Sequence, residues 1–169
     1  MLFRSSLRQR GYRWYRSAAD ARKDFGGRID VAVSIQVIEH VADPRAFLAD
    51  IAGLLTRDAG LMISTPNRAD ILLELLPDDF AAFFYRTQHR WCFDAASLAR
   101  CARAAGLAVR EVRHVHRYGL ANALLWLRDR KPAGHVALPA IDRQADGFWR
   151  RWLEATGRAD NLCILLKPA

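Results

Sequence analysis

The chain has 169 residues, 51% of them hydrophobic, which fits one domain with a sizeable core and excludes a disordered protein. Its formal net charge is +8, carried almost entirely by arginine. A basic chain can bind nucleic acid or an acidic lipid surface. Here, arginine accompanied by abundant alanine, leucine and aspartate indicates a bias of the coding sequence, and we expect no nucleic-acid partner.

The cysteines and the apolar runs exclude further classes. Cys92, Cys101 and Cys163 are odd in number and form no CxxC pair, so neither a zinc site nor a disulfide framework is expected, and a cytoplasmic location follows. The sequence has no run of about eighteen apolar residues, so we expect no transmembrane helix.

The first predicted elements are a short helix and two strands. Residues 5–9 fit the end of a helix that Gly11 stops. In "YRWYRSA", residues 12–18, aromatic and basic residues alternate, which is typical of a half-exposed strand. "RIDVAVSI", residues 28–35, is largely apolar and β-branched, which predicts a strand buried on both faces of a parallel sheet.

A helix and a third strand follow. Asp43 fits the N-cap and Pro44 the first position of a helix that Gly60 is predicted to end. Its apolar residues recur every three or four positions, at Phe47, Leu48, Ile51, Leu54 and Leu55. "LMIST", residues 61–65, predicts a buried strand that ends at Pro66 and Asn67.

The second half predicts an insertion followed by regular elements. Residues 68–93 are apolar, aromatic and interrupted by Pro77, and we expect a lid-like insertion that lies over the site rather than in the core. Asp94 fits the N-cap of a helix that ends at Gly106. Residues 107–115 predict a strand, 120–129 a short helix and 161–167 a last apolar strand.

The order of these elements predicts an α/β fold with a mainly parallel sheet. In such a sheet the ligand binds beyond the carboxyl ends of the strands. Gln36, Glu39 and His40 follow one predicted strand, and residues 64–67 follow the next. The two polar groups are therefore expected to flank one crevice.

Three segments carry a resemblance to a known family. They are "RIDVAVSIQVIEHVADPRAFLADIAGLL", "AGLMISTPN" and "HRWCFDAASLARCARAAGL". Together they resemble the class I S-adenosylmethionine-dependent methyltransferases, above all the small bacterial ubiquinone- and sugar-methyltransferases, from about Gly26 to the C-terminus. The resemblance implies a Rossmann-like sheet with helices on both faces and the strand order 3-2-1-4-5-7-6. The first two segments would supply strands 4 and 5.

The chain departs from this family where the cofactor is held. The family has a glycine-rich turn after its first strand and an acidic residue ending its second, and this sequence shows neither, since Gly26 and Gly27 precede a strand. We therefore expect residues 26–169 to be the C-terminal part of the domain and residues 1–25 the remnant of its N-terminal part. Strands 1 and 2 would be missing, and residues 12–18 would be strand 3.

Two consequences follow from such an incomplete domain. The isolated chain is expected to bind S-adenosylmethionine poorly. The strand at residues 28–35 would also have an unpaired edge, which favours self-association. Alternatively, residues 12–18 would pair directly against that strand.

The crevice residues suggest roles in methyl transfer. His40 is a candidate general base because the ordinary pKa of imidazole lies near neutrality, and Glu39 would orient it; alternatively, His40 only bonds the backbone or caps the following helix, and Glu39 caps that helix. The resemblance implies that Gln36 and Val37 contact the cofactor. The candidate contacts to the acceptor, each of which can instead serve local packing, are Asn67, His89, Trp91, Tyr118 and Asn122.

The predicted function is transfer of a methyl group from S-adenosylmethionine to a small-molecule acceptor, such as a sugar or a lipid-linked precursor. No metal site is expected from the sequence. Two alternatives stay open: a methyltransferase-like remnant or partner subunit without catalysis, and a basic nucleic-acid-binding module.

Overall fold

The computed structural model describes the backbone of residues 2–169 and the side chains from residue 6 onward. Within these residues the helices are α1 Leu2–Gln9, α2 Ala18–Phe25, α3 Pro44–Ala52, α4 Ile71–Leu75, α5 Asp79–Phe84, α6 Ala95–Ala104, α7 Leu120–Asp129 and α8 Arg143–Thr156. The strands are β1 Ile29–Ile35, β2 Leu55–Pro66, β3 Leu107–Val115 and β4 Asn161–Pro168. None of the described helices is long and apolar enough to cross a membrane.

The four strands form one sheet in the order β1-β2-β4-β3. β1 and β2 are parallel, whereas β4 runs antiparallel to both β2 and β3. Three strands therefore point the same way, and the predicted α/β fold with a mainly parallel sheet is confirmed. The order also reproduces the 4-5-7-6 half of the arrangement that the family resemblance implies.

Residues 12–18 do not form the predicted strand. Ser17 is instead the N-cap of α2, and its side chain accepts a hydrogen bond from the Asp20 N–H (3.1 Å). The alternating aromatics pack locally: the Tyr15 ring meets Phe25 edge-on at 5.8 Å, and Arg13 lies over Phe25. Within the described residues β1 pairs with β2 and no other strand, so the predicted re-pairing is also wrong. The described part of the chain thus lacks strands 1–3 of the family order, not two strands.

The helix after β1 is shorter than predicted. Asp43 caps α3 as expected, accepting from the Ala46 N–H (3.0 Å), but α3 ends at Ala52 with Gly53 as its C-cap. Gly60 lies inside β2 opposite Val31. The apolar pattern of the sequence continues beyond the end of α3 because α3 and β2 both bury side chains in the same core.

The main core lies between the sheet and the helices α3 and α6. It includes Ile63 and Ile164 from the sheet, Leu48 from α3 and Leu98 from α6, all 0–1% exposed. Asp94 starts α6 with a capping box, since its side chain accepts from the Ser97 N–H at 2.7 Å and the Ser97 hydroxyl accepts from the Asp94 N–H at 3.0 Å. These contacts confirm the predicted start of α6.

A second core joins the segment after β2 to the segment between β3 and β4. Phe80 from α5 packs with Trp126 from α7 and Leu153 from α8, all at most 5% exposed. Most apolar residues of 68–93 therefore pack in this second core, and the prediction that the segment is not a core element is wrong. A role of this segment as a lid stays a prediction.

β1 is buried on one face only. Val31, Val33 and Ile35 are 72%, 57% and 59% exposed, whereas the intervening Ser34 is buried and Ala32 packs against the main core. The prediction of a strand buried on both faces is thus wrong for β1, because no helix within residues 2–169 covers its outer face.

Candidate functional site

The residue directly after β1 is strained. Gln36 has φ +55°, a left-handed conformation that costs a residue with a side chain of the order of 1 kcal/mol or more. Its Nε2 donates to Asn161 Oδ1 (2.8 Å) and Ser64 Oγ (3.3 Å), which ties the end of β1 to β2 and β4. Such strain at the carboxyl end of a parallel strand is typical of a ligand site.

Glu39 and His40 lie together in the turn that follows. Glu39 is 1% exposed, and its Oε2 accepts from the Thr65 hydroxyl (3.1 Å) while its Oε1 has no hydrogen-bond partner. That free Oε1 is 3.7 Å from His40 Nε2. The His40 Nδ1–H donates to the Gln88 carbonyl (2.7 Å), so neutral His40 keeps its lone pair on Nε2. This is the tautomer that a base needs, with a carboxylate beside it to stabilise the imidazolium.

The capping alternative for Glu39 and His40 is wrong, whereas the alternative that His40 bonds the backbone is met by its bond to the Gln88 carbonyl. Asp43 occupies the N-cap of α3, and the side chains of Glu39 and His40 bond elsewhere. Trp91 braces the same turn from the insertion: its backbone N–H donates to the Glu39 carbonyl (3.1 Å) and its Nε1–H to the Val41 carbonyl (3.0 Å).

His89 completes a cluster that the sequence analysis missed. Its ring lies 5.1 Å from that of His40, and its Nδ1–H donates to the Phe84 carbonyl (3.0 Å). Among the described residues, Glu39, His40 and His89 offer ligand atoms within 4.8 Å of one another. Because both Nδ1 atoms are engaged by carbonyls, both Nε2 atoms are available, and the three side chains can hold a divalent cation. The prediction of no metal site considered only ligands that lie close together in the sequence. His89 lies far along the chain from Glu39 and His40, so that criterion could not find it.

A cavity of about 230 Å³ adjoins this cluster. Four of the predicted residues line it: Gln36, His89, Tyr118 and Asn122. The rest of its wall combines aliphatic and charged residues with five aromatic side chains, which come from the segments that form the second core: Phe80, Phe83, Phe84, Trp126 and Trp149. Glu39, His40, Val37, Asn67 and Trp91 are outside the lining.

The Asn67 side chain bonds to the backbone and does not line the cavity. It is 0% exposed, and its Nδ2 donates to the carbonyls of Gly157 (3.0 Å) and Ala159 (2.8 Å). Its Oδ1 accepts from the Ala69 N–H (3.1 Å). This amide therefore joins the end of β2 to the segment entering β4, and it has no free group for an acceptor.

The charged part of the cavity wall was not predicted. Asp160 accepts from the Arg117 N–H (2.8 Å) and the Arg117 Nε–H (2.6 Å), and its own N–H donates to His116 Nδ1 (3.1 Å). Burial raises the pKa of Asp160, but the bonds from His116 and Arg117 outweigh burial and hold that pKa below its ordinary value. His116 and Arg117 follow β3, whereas Asp160 precedes β4. No pattern within a short stretch of sequence predicts the contact between them.

Asp70 is the other buried acid of the cavity. It is 4% exposed, and as the N-cap of α4 its Oδ1 accepts from the Leu72 N–H (2.9 Å). Burial raises the pKa of Asp70 to about 6, against the lowering effect of the Leu72 N–H. The sequence signal that could have found it is an aspartate just before the apolar run of α4.

Known proteins resemble this chain in sequence and in fold. A ubiquinone biosynthesis O-methyltransferase of Thiobacillus denitrificans is 33% identical over 110 residues, which cover 57% of this chain and 44% of that protein. A SAM-dependent methyltransferase of Archaeoglobus fulgidus superposes with a TM-score of 0.53 at 14% identity, covering 91% of this chain and 66% of that one. The trans-methyltransferase CalH, solved with SAH, gives a TM-score of 0.51 at 15% identity, covering 99% and 40%.

The chain spans less than half the length of the curated relatives it matches. The sequence model of a methyltransferase domain family matches residues 6–112, which include β1, α3, β2, α6 and most of β3. S-adenosylmethionine is the cofactor that this likeness supports. On the strength of that match and of its sheet order, this chain belongs to the methyltransferase domain family.

Proposed function

We propose that residues 2–169 form the acceptor-binding part of an S-adenosylmethionine-dependent methyltransferase that acts on a small molecule. The observation that carries this proposal is that Gln36 belongs to both sites. It directly follows β1, where the family resemblance implies the cofactor, and it lines the cavity. An acceptor in that cavity would therefore lie beside the methyl group to be transferred.

The described residues fit only one side of the cofactor. Gln36 and Val37 stand at the end of β1, but Gly26 and Gly27 form the turn that leads into β1 and not a turn that follows a strand. S-adenosylmethionine would supply an electrophilic methyl group bonded to sulfur. The chain's own residues would bind and orient the acceptor and exclude water with their aromatic rings. His40 lies outside the cavity wall but 5.1 Å from the ring of His89 in that wall, so an acceptor that extends past His89 would give its proton to His40 Nε2, with Glu39 stabilising the imidazolium.

The cavity favours one kind of small-molecule acceptor. Its aromatic wall suits an acceptor with an apolar portion, as in a lipid-linked precursor, better than a bare sugar. The Thiobacillus relative is named for ubiquinone biosynthesis, which is compatible with this preference. Residues 116–160, which supply part of the wall, lie beyond the family match, so we expect the acceptor to be particular to this chain. For the location we retain the cytoplasm, since all three cysteines are free thiols.

Calorimetric titration with S-adenosylhomocysteine tests the cofactor side. We expect the chain alone to bind with a dissociation constant weaker than about 10 μM, a free energy less favourable than roughly −7 kcal/mol. The protein expressed with the sequence encoded upstream of Met1 should bind more tightly. Tight binding by the chain alone would contradict the proposal that residues 2–169 form only the acceptor-binding part. No binding by the longer protein would favour the non-catalytic alternative.

We also propose that the isolated chain self-associates through β1. Its edge has no strand partner among residues 2–169, and its outer face is apolar. Light scattering after size exclusion should give a mass above the 19.1 kDa of one chain. Val33→Lys should shift the protein toward monomer because it places a charge in the middle of β1. Val136→Lys, at a residue that is 55% exposed outside the sheet, should leave the mass unchanged. A monomeric wild-type chain would refute the idea.

A further inference from the structure

We propose that Asp70 is a specificity-determining residue of the cavity, accepting a hydrogen bond from an O–H or N–H group on the apolar molecule bound there. The inference rests on the proposed function in one respect, namely that the cavity is the binding site of the acceptor. It assigns the chemistry of the ligand, a hydrogen-bond donor on an apolar body, to one named side chain.

The first support is the unused oxygen of Asp70. Oδ1 accepts the Leu72 N–H at 2.9 Å, whereas Oδ2 has no hydrogen-bond partner among the described residues. The residue lines the cavity and is 4% exposed. Since Oδ2 is not among the fully buried side-chain atoms that lack a partner, it is open to the cavity, where a donor on the ligand can reach it.

The second support is that capping does not require the charge. Asparagine caps a helix about as well as aspartate, without the desolvation of an ion. The negative charge of Asp70 is therefore not needed to cap α4. Burial makes the charge expensive, since the residue is only 4% exposed.

The third support is the arrangement of charges around Asp70. Asp160 raises its pKa, while His116 and Arg117 lower it, and burial dominates, giving a value of about 6. Asp160 already pairs with Arg117 and contacts His116, so the Arg117 guanidinium is committed to Asp160 rather than to Asp70. At neutral pH Asp70 is therefore mostly an ionised acceptor that no neighbouring hydrogen-bond donor satisfies, apart from Leu72.

The fluorescent photoacid 2-naphthol tests the assignment without methyl transfer. In its excited state this apolar hydroxyl compound gives its proton to a hydrogen-bonded carboxylate and then emits as naphtholate. With excess wild-type chain at about pH 7.5, above the pKa of about 6, we expect naphtholate emission from the bound probe. The probe is excited at a wavelength that tryptophan does not absorb.

Asp70→Asn should bind 2-naphthol with similar affinity but emit only as neutral naphthol. Asp142→Asn is the matched control, because Asp142 is the exposed N-cap of α8 and accepts the Ala145 N–H at 2.8 Å. It should behave as wild type. Thermal unfolding of both variants checks that they fold.

A pH series on wild type needs no variant and stands if Asp70→Asn fails to fold. Protonation of Asp70 at about pH 4.5 should abolish the naphtholate emission of the bound probe. Naphtholate emission that persists in Asp70→Asn or does not change with pH would overturn the proposal. So would failure of 2-naphthol to bind, whereas none of these outcomes bears on binding of the cofactor.

Discussion

Replacing Asn67 by aspartate is expected to destabilise the protein by about 3–5 kcal/mol at neutral pH, a large share of the stability of an ordinary domain. The Asn67 Nδ2 donates to the carbonyls of Gly157 and Ala159 in a fully buried position. Aspartate has the same shape but would direct a charged oxygen at both carbonyls and leave them without a donor. Urea unfolding measures the change.

Asn122→Asp is the matched control for this substitution. Asn122 is 5% exposed, and its Nδ2 donates to one carbonyl, that of Gly134 (2.8 Å). With one bond lost and the cavity alongside, we expect about half the loss of stability. An Asn67→Asp protein within about 1 kcal/mol of wild type would show that the amide does not join β2 to the entry of β4.

The second large effect is expected at His40. In the protein expressed with its upstream sequence, His40→Ala should lower the turnover of methyl transfer by about 10²-fold if the imidazole is the general base. The hydrogen bond from Nδ1 to the Gln88 carbonyl, which fixes the base-competent tautomer, is lost with it. Single-turnover rates with labelled cofactor measure the effect, and circular dichroism checks the fold.

Asp43→Asn separates chemistry from helix capping. It keeps a capping side chain at the start of α3 and should leave turnover unchanged. Unchanged turnover in His40→Ala, with the fold intact, would mean that another group takes the proton.

Most of the sheet was predictable because its strands have clear local patterns. β3, α7 and β4 match the predicted ranges almost to the residue, and the caps Asp43 and Asp94 start α3 and α6 as expected. Residues 12–18 failed because alternation of aromatic and basic residues also fits a loop packed on α2. The helix α8 was not predicted, although Asp142 at its N-cap and Gly157 at φ +75° mark both its ends.

The site was predictable only where it depends on strand ends. The rule that ligands lie beyond the carboxyl ends of strands located Gln36, Glu39 and His40. His89, whose ring faces His40, and the buried pair of His116 and Asp160 in the cavity wall come from distant segments. Their meeting is decided by the packing of the second core, which no short pattern encodes. Asn67 shows the converse, because a polar residue at a strand end proved fully engaged by the backbone.

The most direct measurement is the fate of a labelled methyl group. The protein expressed with its upstream sequence is incubated with methyl-tritiated S-adenosylmethionine and with separate lipid-soluble, water-soluble and nucleic-acid fractions of a cell extract. We expect label in a small molecule of the lipid-soluble fraction, and its loss when Ala123→Trp fills the aromatic cavity of a protein that still binds S-adenosylhomocysteine. Label in nucleic acid alone, or no transfer by a protein that binds the cofactor, would contradict a small-molecule methyltransferase.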